Sequence, residues 1–570
     1  MKTRSWVSAT VKPSVQTPRA LLRRVAMMSA PFLFGAAMLA GAQSGPIMLL
    51  GTDAKGTAHH RPDDWPAKAG DWNAKAARFN PATRQLVFET FREDILGGSH
   101  RASGSTIPGV REYYTAGPDT GTENVEGTTV LYVSAADGSH PRCIGCVDVV
   151  DGRDGVRIFA ATPSASATPN APQRQVGASV YANQNKDLAA WSPDGKWLFA
   201  GVEMPKHALM HQLGNSEVGM FNDLWAIAAD GKTWIQLTDF AHTWTFADHA
   251  VFMPYPSVLT AQCPTGTQYA HADAHAHGLF EKPQQAPYSG YTCSAKQAPP
   301  PALGTMRPTV GPSAQGRVPI AWAERVGLDR HYAWAGVLQL AMAKIAFVEG
   351  LPTLIEYRRN LTPTPRDPSG EGLWANPGGD TQIGSGYEPW SFSRDNSRLG
   401  FASDVFLSTS SPAVKQTETV HSEAFTDVAS WQWQGRAQLR DVTAYGANYA
   451  YRDNAGPEPV NHYGHWEEPA VFSLGHAPEF IAFGSSANMD PPWNPMAHKT
   501  TFGLDVWMIR IDGTRPAMRL THFNDSTARK LAYPTATDPV DDSLFITVVP
   551  GGKGGGNPPG AVYRLAVPAM

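Results

Sequence analysis

The 570-residue sequence contains only four cysteines, and just one pair of them, "CIGC" at Cys143 and Cys146, is closely spaced. With no second CxxC, a zinc ribbon or finger is excluded. No G-x-S-x-G occurs, so a serine-hydrolase nucleophile elbow is absent. His207 and His211 stand four apart, but no H-E-x-x-H surrounds them, so a zincin helix is excluded as well. The first 42 residues hold no acid, and after residue 42 no apolar run is long enough to span a bilayer.

What is present begins with that N-terminal stretch. Six basic residues precede or enter the run "VAMMSAPFLFGAAMLAGA", which ends in Ala40-Gly41-Ala42. A positive segment, an apolar segment and an A-x-A site are the parts of a signal peptide, expected over residues 1–42. An uncleaved membrane anchor is the alternative. Arg23-Arg24 raises twin-arginine export in a poorly matching context, and no cysteine lies at the cleavage site for lipid attachment. The rest of the chain has 41 basic and 51 acidic residues, formally −10, which argues against nucleic acid as a partner. The expected location is periplasmic or secreted. In such an oxidising compartment the cysteines are expected as Cys143–Cys146 and Cys263–Cys293, although four cysteines allow three pairings. A redox role for "CIGC" would call for a strand-to-helix context, which the sequence does not suggest.

The 53 glycines and 47 prolines suit short strands and many turns. "LAAWSPDGKWLFAGVE" (188–203) reads as strand, tight turn, strand, with Asp194-Gly195 supplying the turn. Relatives begin near Ala77, Arg307, Glu388, Glu468 and Tyr533, and proline often opens the unit. A second element follows most copies: "DLWAIAADGKTWIQLTDF" (223–240) and "DVWMIRIDGTRPAMRLTHF" (505–523) are nearly superposable. Asp137, Asp230 and Asp512, each before glycine, are read as turn residues.

The two elements together make four strands, the unit of a propeller blade. The expected fold is all-β, a six-bladed β-propeller spanning 76–570, with a loop inserted at 241–305. The last copy, "AVYRLAV", lacks a fourth strand, so residues 46–50 of the 43–75 segment are expected to complete it. "WSPDGKWLFA" followed by "DLWAIAADG" and "LT" resembles the TolB-type, WD-like propeller repeat. That resemblance implies propeller architecture. The segment before residue 76 is too short for the N-terminal domain of TolB itself, so a cell-envelope-complex role is not carried over.

Propeller geometry gathers the loops that leave second strands and those that enter first strands on one face. This makes Glu203, Glu324, Glu388, Asp404, His462, His465, Trp466 and Glu467 the candidate ligand-face residues. "HYGHWEE" could bind a metal, polarise a ligand or stack on a sugar, or could simply pack at a blade entry. The repeated acids could act on a glycan, or each could bond backbone or an arginine of the next blade. "HADAHAH" (271–277) is a weaker metal candidate. No catalytic residue is assigned. No cofactor is predicted, and the one alternative left open is a divalent metal at His462 and His465. The expected function is a binding scaffold for a protein or polysaccharide, with a metal- or carboxylate-dependent glycan lyase or hydrolase as the alternative.

Overall fold

The computed structural model describes residues 45–95, 127–161, 174–175, 177–182, 184–203, 222–238, 268–270, 292–294, 304–327, 337–358, 387–396, 398–403, 419–427, 432–433, 440–441, 466–472, 480–485, 503–510, 518–525, 529–550 and 560–567. The chain divides into two units, Met1–Gln43 and Ser44–Met570, and all described residues belong to the second. Their regular structure is β throughout, apart from one 3-10 turn at Arg153–Gly155. No described helix is long and apolar enough to cross a membrane.

Among the described residues, six sheets of four or more strands, each built on antiparallel neighbours, follow one another along the chain. The first runs Lys75–Asn80, Gln85–Arg92, Thr128–Ala135, Arg142–Ile144 in that spatial order. The second begins Lys186–Trp191, Trp197–Glu203, Asn222–Ala228, Thr233–Gln236. Its outer edge is extended by a parallel strand, Arg157–Ala161, and then by Arg174–Gln175. The third is Gly304–Val310, Val318–Gly327, Val337–Val348, Leu351–Arg358. The fourth starts Tyr387–Phe392, Arg398–Ser403, Thr419–Asp427, and the short strands Gln432–Trp433 and Arg440–Asp441 both pair with the last of these. The fifth is Trp466–Phe472, Phe480–Ser485, Asp505–Arg510, Met518–Arg519. The sixth is Lys530–Asp538, Ser543–Pro550, Ala561–Ala566, and its fourth strand is Ile47–Thr52, paired antiparallel with Ala561–Ala566. That pairing satisfies a backbone edge which would otherwise face solvent.

The first strand of each sheet packs on the face of the preceding sheet, and Lys75–Asn80 packs in the same way on the sixth. The core therefore lies in layers between sheets. Val87, Leu131 and Val133 of the first sheet meet Trp191, Leu198 and Trp225 of the second. Phe199 and Ile235 meet Ile320, Trp322 and Ile345. Phe480, Val506 and Met508 meet Leu544, Ile546 and Leu565. Leu50, Phe545 and Val562 meet Trp72, Phe79 and Phe88. Each fully buried large side chain contributes roughly 1.5–3 kcal/mol. Consecutive four-stranded sheets, face-packed in this way, make the fold β-propeller-like.

Sequence repeats translate into repeated hydrogen bonds. Ser192 Oγ donates to Asp194 Oδ1 at 2.6 Å and accepts from Trp197 N at 3.0 Å. Ser393 does the same with Asp395 and Arg398, both at 2.8 Å. Gly195 takes φ +69°, and a Cβ there would also strike Thr83; both facts call for glycine. Asp137 Oδ1 and Asp230 Oδ1 accept from Ser139 N and Lys232 N, so they are turn residues; Asp512 lies outside the described residues. In the second element, buried Asp223 accepts from Thr238 Oγ1 at 3.0 Å, and buried Asp505 accepts from Thr521 Oγ1 at 2.8 Å. Each threonine hydroxyl in turn accepts the amide following its aspartate, Leu224 N at 2.8 Å and Val506 N at 2.9 Å. The near-identity of "DLW…QLT" and "DVW…RLT" is this three-atom clasp.

Candidate ligand-binding face

All six first strands share one irregularity. The pairing with the second strand shifts by one residue between Lys75 and Arg78, Asp187 and Ala190, Met306 and Thr309, Pro389 and Ser391, Glu467 and Ala470, and Pro534 and Ala536. A bulge of this kind bends the strand and re-aims its side chains. Ala76, Leu188 and Arg307 adopt positive φ there. The recurrent proline also falls at this point, as Pro308, Pro389, Pro469 and Pro534. Proline suits a bulge because it has no N–H to offer the ladder. Where the residue is not proline, the sheet before it supplies the acceptor. Leu188 N donates to Glu89 Oε1, and Ala76 N donates to Thr547 Oγ1 at 2.9 Å.

Just before the bulge, Lys75, Asp187, Met306, Glu388, Glu467 and Tyr533 occupy one register position, opposite Glu89, Gly201, Ala323, Ala402, Gly484 and Thr547. This row is where the candidate acids can be placed. Glu388 and Glu467 are equivalent. Glu203 stands two residues past a member of the opposing row, whereas Glu324 stands one past and pairs with Thr305. The backbone register thus sets Glu324 and Glu203 one residue apart.

Three acids with described side chains, Glu203, Glu388 and Glu89, are engaged locally. Glu203 is 1% exposed and its Oε2 accepts Asn185 N at 2.7 Å, while its carbonyl accepts from Gln184 Nε2 at 2.8 Å. Next to it the fully buried Lys186 ammonium donates to the carbonyls of Tyr181, Ala182 and Gln184 at 2.9, 3.2 and 2.7 Å. Glu388 is buried and forms an ion pair with Arg307 of the preceding sheet at 2.7 Å. Glu89, which the repeat pattern did not single out, is 4% exposed, lies 3.6 Å from Lys75 and accepts Leu188 N. Trp466 and Glu467 pair through their backbones with Ser485 and Gly484. Asp404, His462 and His465 lie outside the described residues, as do His207, His211, residues 271–277 and Cys263. Among the described residues no cluster of three or more His, Cys, Asp or Glu could hold a metal.

Two arginines and a tryptophan meet at the bulge level, and neither the motifs nor the repeat spacing pointed to them. Trp390, in the first strand of the fourth sheet, is 2% exposed. The Arg307 guanidinium of the third sheet lies 4.6 Å from its ring centroid, and that of Arg78, in the first sheet, 4.8 Å. Arg78 also donates to Thr535 O of the sixth sheet, and its own carbonyl accepts Trp191 Nε1 of the second at 3.2 Å. Trp390 Nε1 has no hydrogen-bond partner among the described residues. Arginine on an aromatic face is a common cation–π arrangement; here it joins first strands from separate sheets.

Cys143 and Cys146 form a disulfide at the outer end of the first sheet. Cys293 sits in a short strand, Thr292–Ser294, paired with Gln268–Ala270.

No family model matches the sequence, and no curated protein matches it. Solved structures with similar folds include a protein of unknown function from Dyadobacter fermentans, at 9% identity and TM-score 0.38, covering 92% of this chain and 99% of that one. A Trypanosoma rangeli sialidase is similar at 8% identity and TM-score 0.34, covering 92% of this chain and 57% of the sialidase. A thermostable family-43 glycoside hydrolase is similar at 8% identity and TM-score 0.28, covering 68% of this chain and 96% of that one. The two whose activity is named, a sialidase and a glycoside hydrolase, are not TolB proteins. At such scores they carry no argument about the site, and the propeller-like reading rests on the sheet order and face packing above.

Proposed function

We propose that the chain is an exported six-bladed β-propeller that binds a polysaccharide on the face where second strands end and first strands begin. The observation that supports binding is local engagement of the acids. Glu203 is used by a backbone amide, Glu388 by Arg307, and Glu89 by Lys75 and Leu188 N. A glycosidase of the usual kind needs two carboxyls facing one bond, whereas Glu203, Glu388 and Glu89 are each held by a local partner. The ring of six blades is supported by the cyclic packing of first strands and by Ile47–Thr52 filling the sixth sheet. Export rests on the character of residues 1–42, and the TolB-type likeness on the repeat sequences.

The second reading is a glycan lyase or hydrolase on the same face. The names of the similar structures, a sialidase and glycoside hydrolases, are what brings it forward. One experiment separates the two. The purified chain is incubated with a panel of neutral and acidic polysaccharides, and both retention by affinity electrophoresis and release of reducing ends are measured. Retention without release supports the scaffold. Release that is lost in Glu388→Gln or Glu467→Gln moves the conclusion to the enzyme, and neither retention nor release overturns both.

A further inference from the structure

The two sulfurs of the Cys143–Cys146 bridge have opposite surroundings. Cys146 Sγ accepts from Arg92 Nη1 at 3.4 Å and lies 3.7 Å from the Tyr132 hydroxyl. Cys143 Sγ lies 3.4 Å from the carbonyl oxygen of Leu131. Arg92 is held in place from three sides. Its Nε and Nη2 donate to the Asp94 carboxylate at 2.6 Å each, Nη1 also donates to Tyr132 Oη at 3.0 Å, and its guanidinium covers the Trp65 ring at 5.0 Å. Burial keeps the Tyr132 phenol above its ordinary range, so it stays a donor. The other charges facing this corner are Asp94, already spent on Arg92, and Asp64, which acts on Tyr132. The Lys186 stem runs beside Gly145 between the cysteines, with its ammonium turned to backbone carbonyls.

A positive donor beside a sulfur stabilises a thiolate, and a carbonyl oxygen beside a sulfur favours the protonated thiol. The bridge has no evident need to exist for the fold's sake. It spans a sequence separation of 3, so it removes little chain entropy, and it ties Cys143 only to the turn that follows its own strand, while that strand is held to Thr128–Ala135 by the backbone pairs Leu131–Ile144, Tyr132–Cys143 and Val133–Arg142. Both cysteines are half-buried at the surface, next to Val147, which is 74% exposed.

We propose that Cys143–Cys146 is a thiol–disulfide exchange site that oxidises a dithiol, with Cys143 as the sulfur attacked and Cys146 as the leaving thiolate. A thiolate of the dithiol bonds to Cys143 Sγ. The Cys143–Cys146 bond breaks, and its electron pair goes to Cys146, where Arg92 and Tyr132 receive the charge. The second thiol of the dithiol loses its proton to solvent and attacks the mixed disulfide. Cys143 leaves as a thiolate and takes a proton from solvent, and the resulting thiol donates a hydrogen bond to Leu131 O. The dithiol is oxidised to its disulfide, and the bridge is reduced by two electrons. A low-pKa leaving thiol speeds this exchange. The strand-to-strand setting differs from that of thioredoxin, so the enabling feature is the arginine rather than a helix N-terminus.

The test uses the full chain with dithiothreitol as the dithiol. The folded protein is reduced, alkylated over a pH series with iodoacetamide, and the peptides carrying Cys143 and Cys146 are read separately by mass spectrometry from those carrying Cys263 and Cys293. Cys146 is expected to alkylate with a midpoint about one pH unit or more below the free-thiol value of about 8.5, and Cys143 near or above that value. Arg92→Met should erase the difference and slow native-state reduction about tenfold, with Arg92→Lys restoring part of it. Tyr132→Phe keeps the ring packing and should give a smaller effect in the same direction. If Arg92→Met fails to fold, the wild-type order of the two midpoints decides by itself. Equal midpoints, the reverse order, or reduction only after the chain unfolds would overturn the proposal.

Discussion

The guanidinium of Arg78 lies 4.8 Å from the ring centroid of Trp390, so the first strand of the first sheet touches the first strand of the fourth. Two strands separated by about half the chain meet through a cation and an aromatic face. The contact is expected to couple the first and fourth sheets. Arg78→Ala and Trp390→Ala should each destabilise, the tryptophan by about 3–5 kcal/mol. A double-mutant cycle in urea should return a coupling of about 0.5–2 kcal/mol. Strict additivity of the two changes would show that the arginine does not couple the two sheets.

Asp505 tests the clasp in the fifth sheet. It is buried and accepts from Thr521 Oγ1, Phe523 N and Arg519 Nη2, each at 2.8 Å. Asp505→Ala leaves the Thr521 hydroxyl and Phe523 N without their acceptor, while Arg519 keeps Asp525 at 2.5 Å, and should cost about 1–3 kcal/mol for each donor left unsatisfied. Thr521→Val, which removes one hydroxyl, should cost about 1 kcal/mol. Chemical denaturation of both variants checks the ranking; a threonine change costing as much as the aspartate change would refute it.

Glu203 offers a contrast between structure and chemistry. If its work is to cap Asn185 N, Glu203→Gln keeps an acceptor and should be mild. Glu203→Ala leaves a buried amide unsatisfied and should cost about 1–3 kcal/mol. Polysaccharide retention by Glu203→Gln should match wild type. A loss of retention in that variant at unchanged stability would place Glu203 in the binding surface instead.

Acid lability should arise in part at the junction of the sixth and first sheets. Arg564 and then Arg84, at 2.6 and 2.8 Å, hold Asp541 below the usual carboxylate range. A folded pKa below the unfolded one adds stability that is present above about pH 4 and lost as pH falls through the folded value. Thermal melts from pH 6 to pH 2 should fall less steeply in Asp541→Asn than in wild type. Equal slopes would show that this carboxylate does not contribute.

The strand Ile47–Thr52 makes the sixth sheet depend on the other end of the described chain. A chain starting at residue 54 should melt lower and associate through the exposed edge of Ala561–Ala566. Size-exclusion chromatography and thermal melts check this. An unchanged melting temperature in a monomeric truncated chain would contradict it.

The hairpins and the clasp were legible in the sequence because their chemistry is local. Ser192, Asp194 and Gly195 lie within one turn, and Asp223 and Thr238 are neighbours across adjacent strands. The recurrent proline was visible too, but its meaning was not. Only the pairing register shows that it marks the bulge of each first strand. Register also separates Glu324 from Glu203, a distinction that strand-end spacing alone does not carry. Arg78, Arg307 and Trp390 carry no motif at all, and their meeting depends on how three sheets are set around one another.

By itself the sequence determined what short-range bonding determines: short strands, tight turns, four-stranded units and their order along the chain. Tertiary structure decided which residues at those units face one another. A carboxylate's role depends on the nearest cation or amide in space, and for Glu388 that partner, Arg307, comes from another sheet. The same holds for the cysteines. "CIGC" states that two sulfurs are close, and only the fold brings Arg92 to one of them and the Leu131 carbonyl to the other.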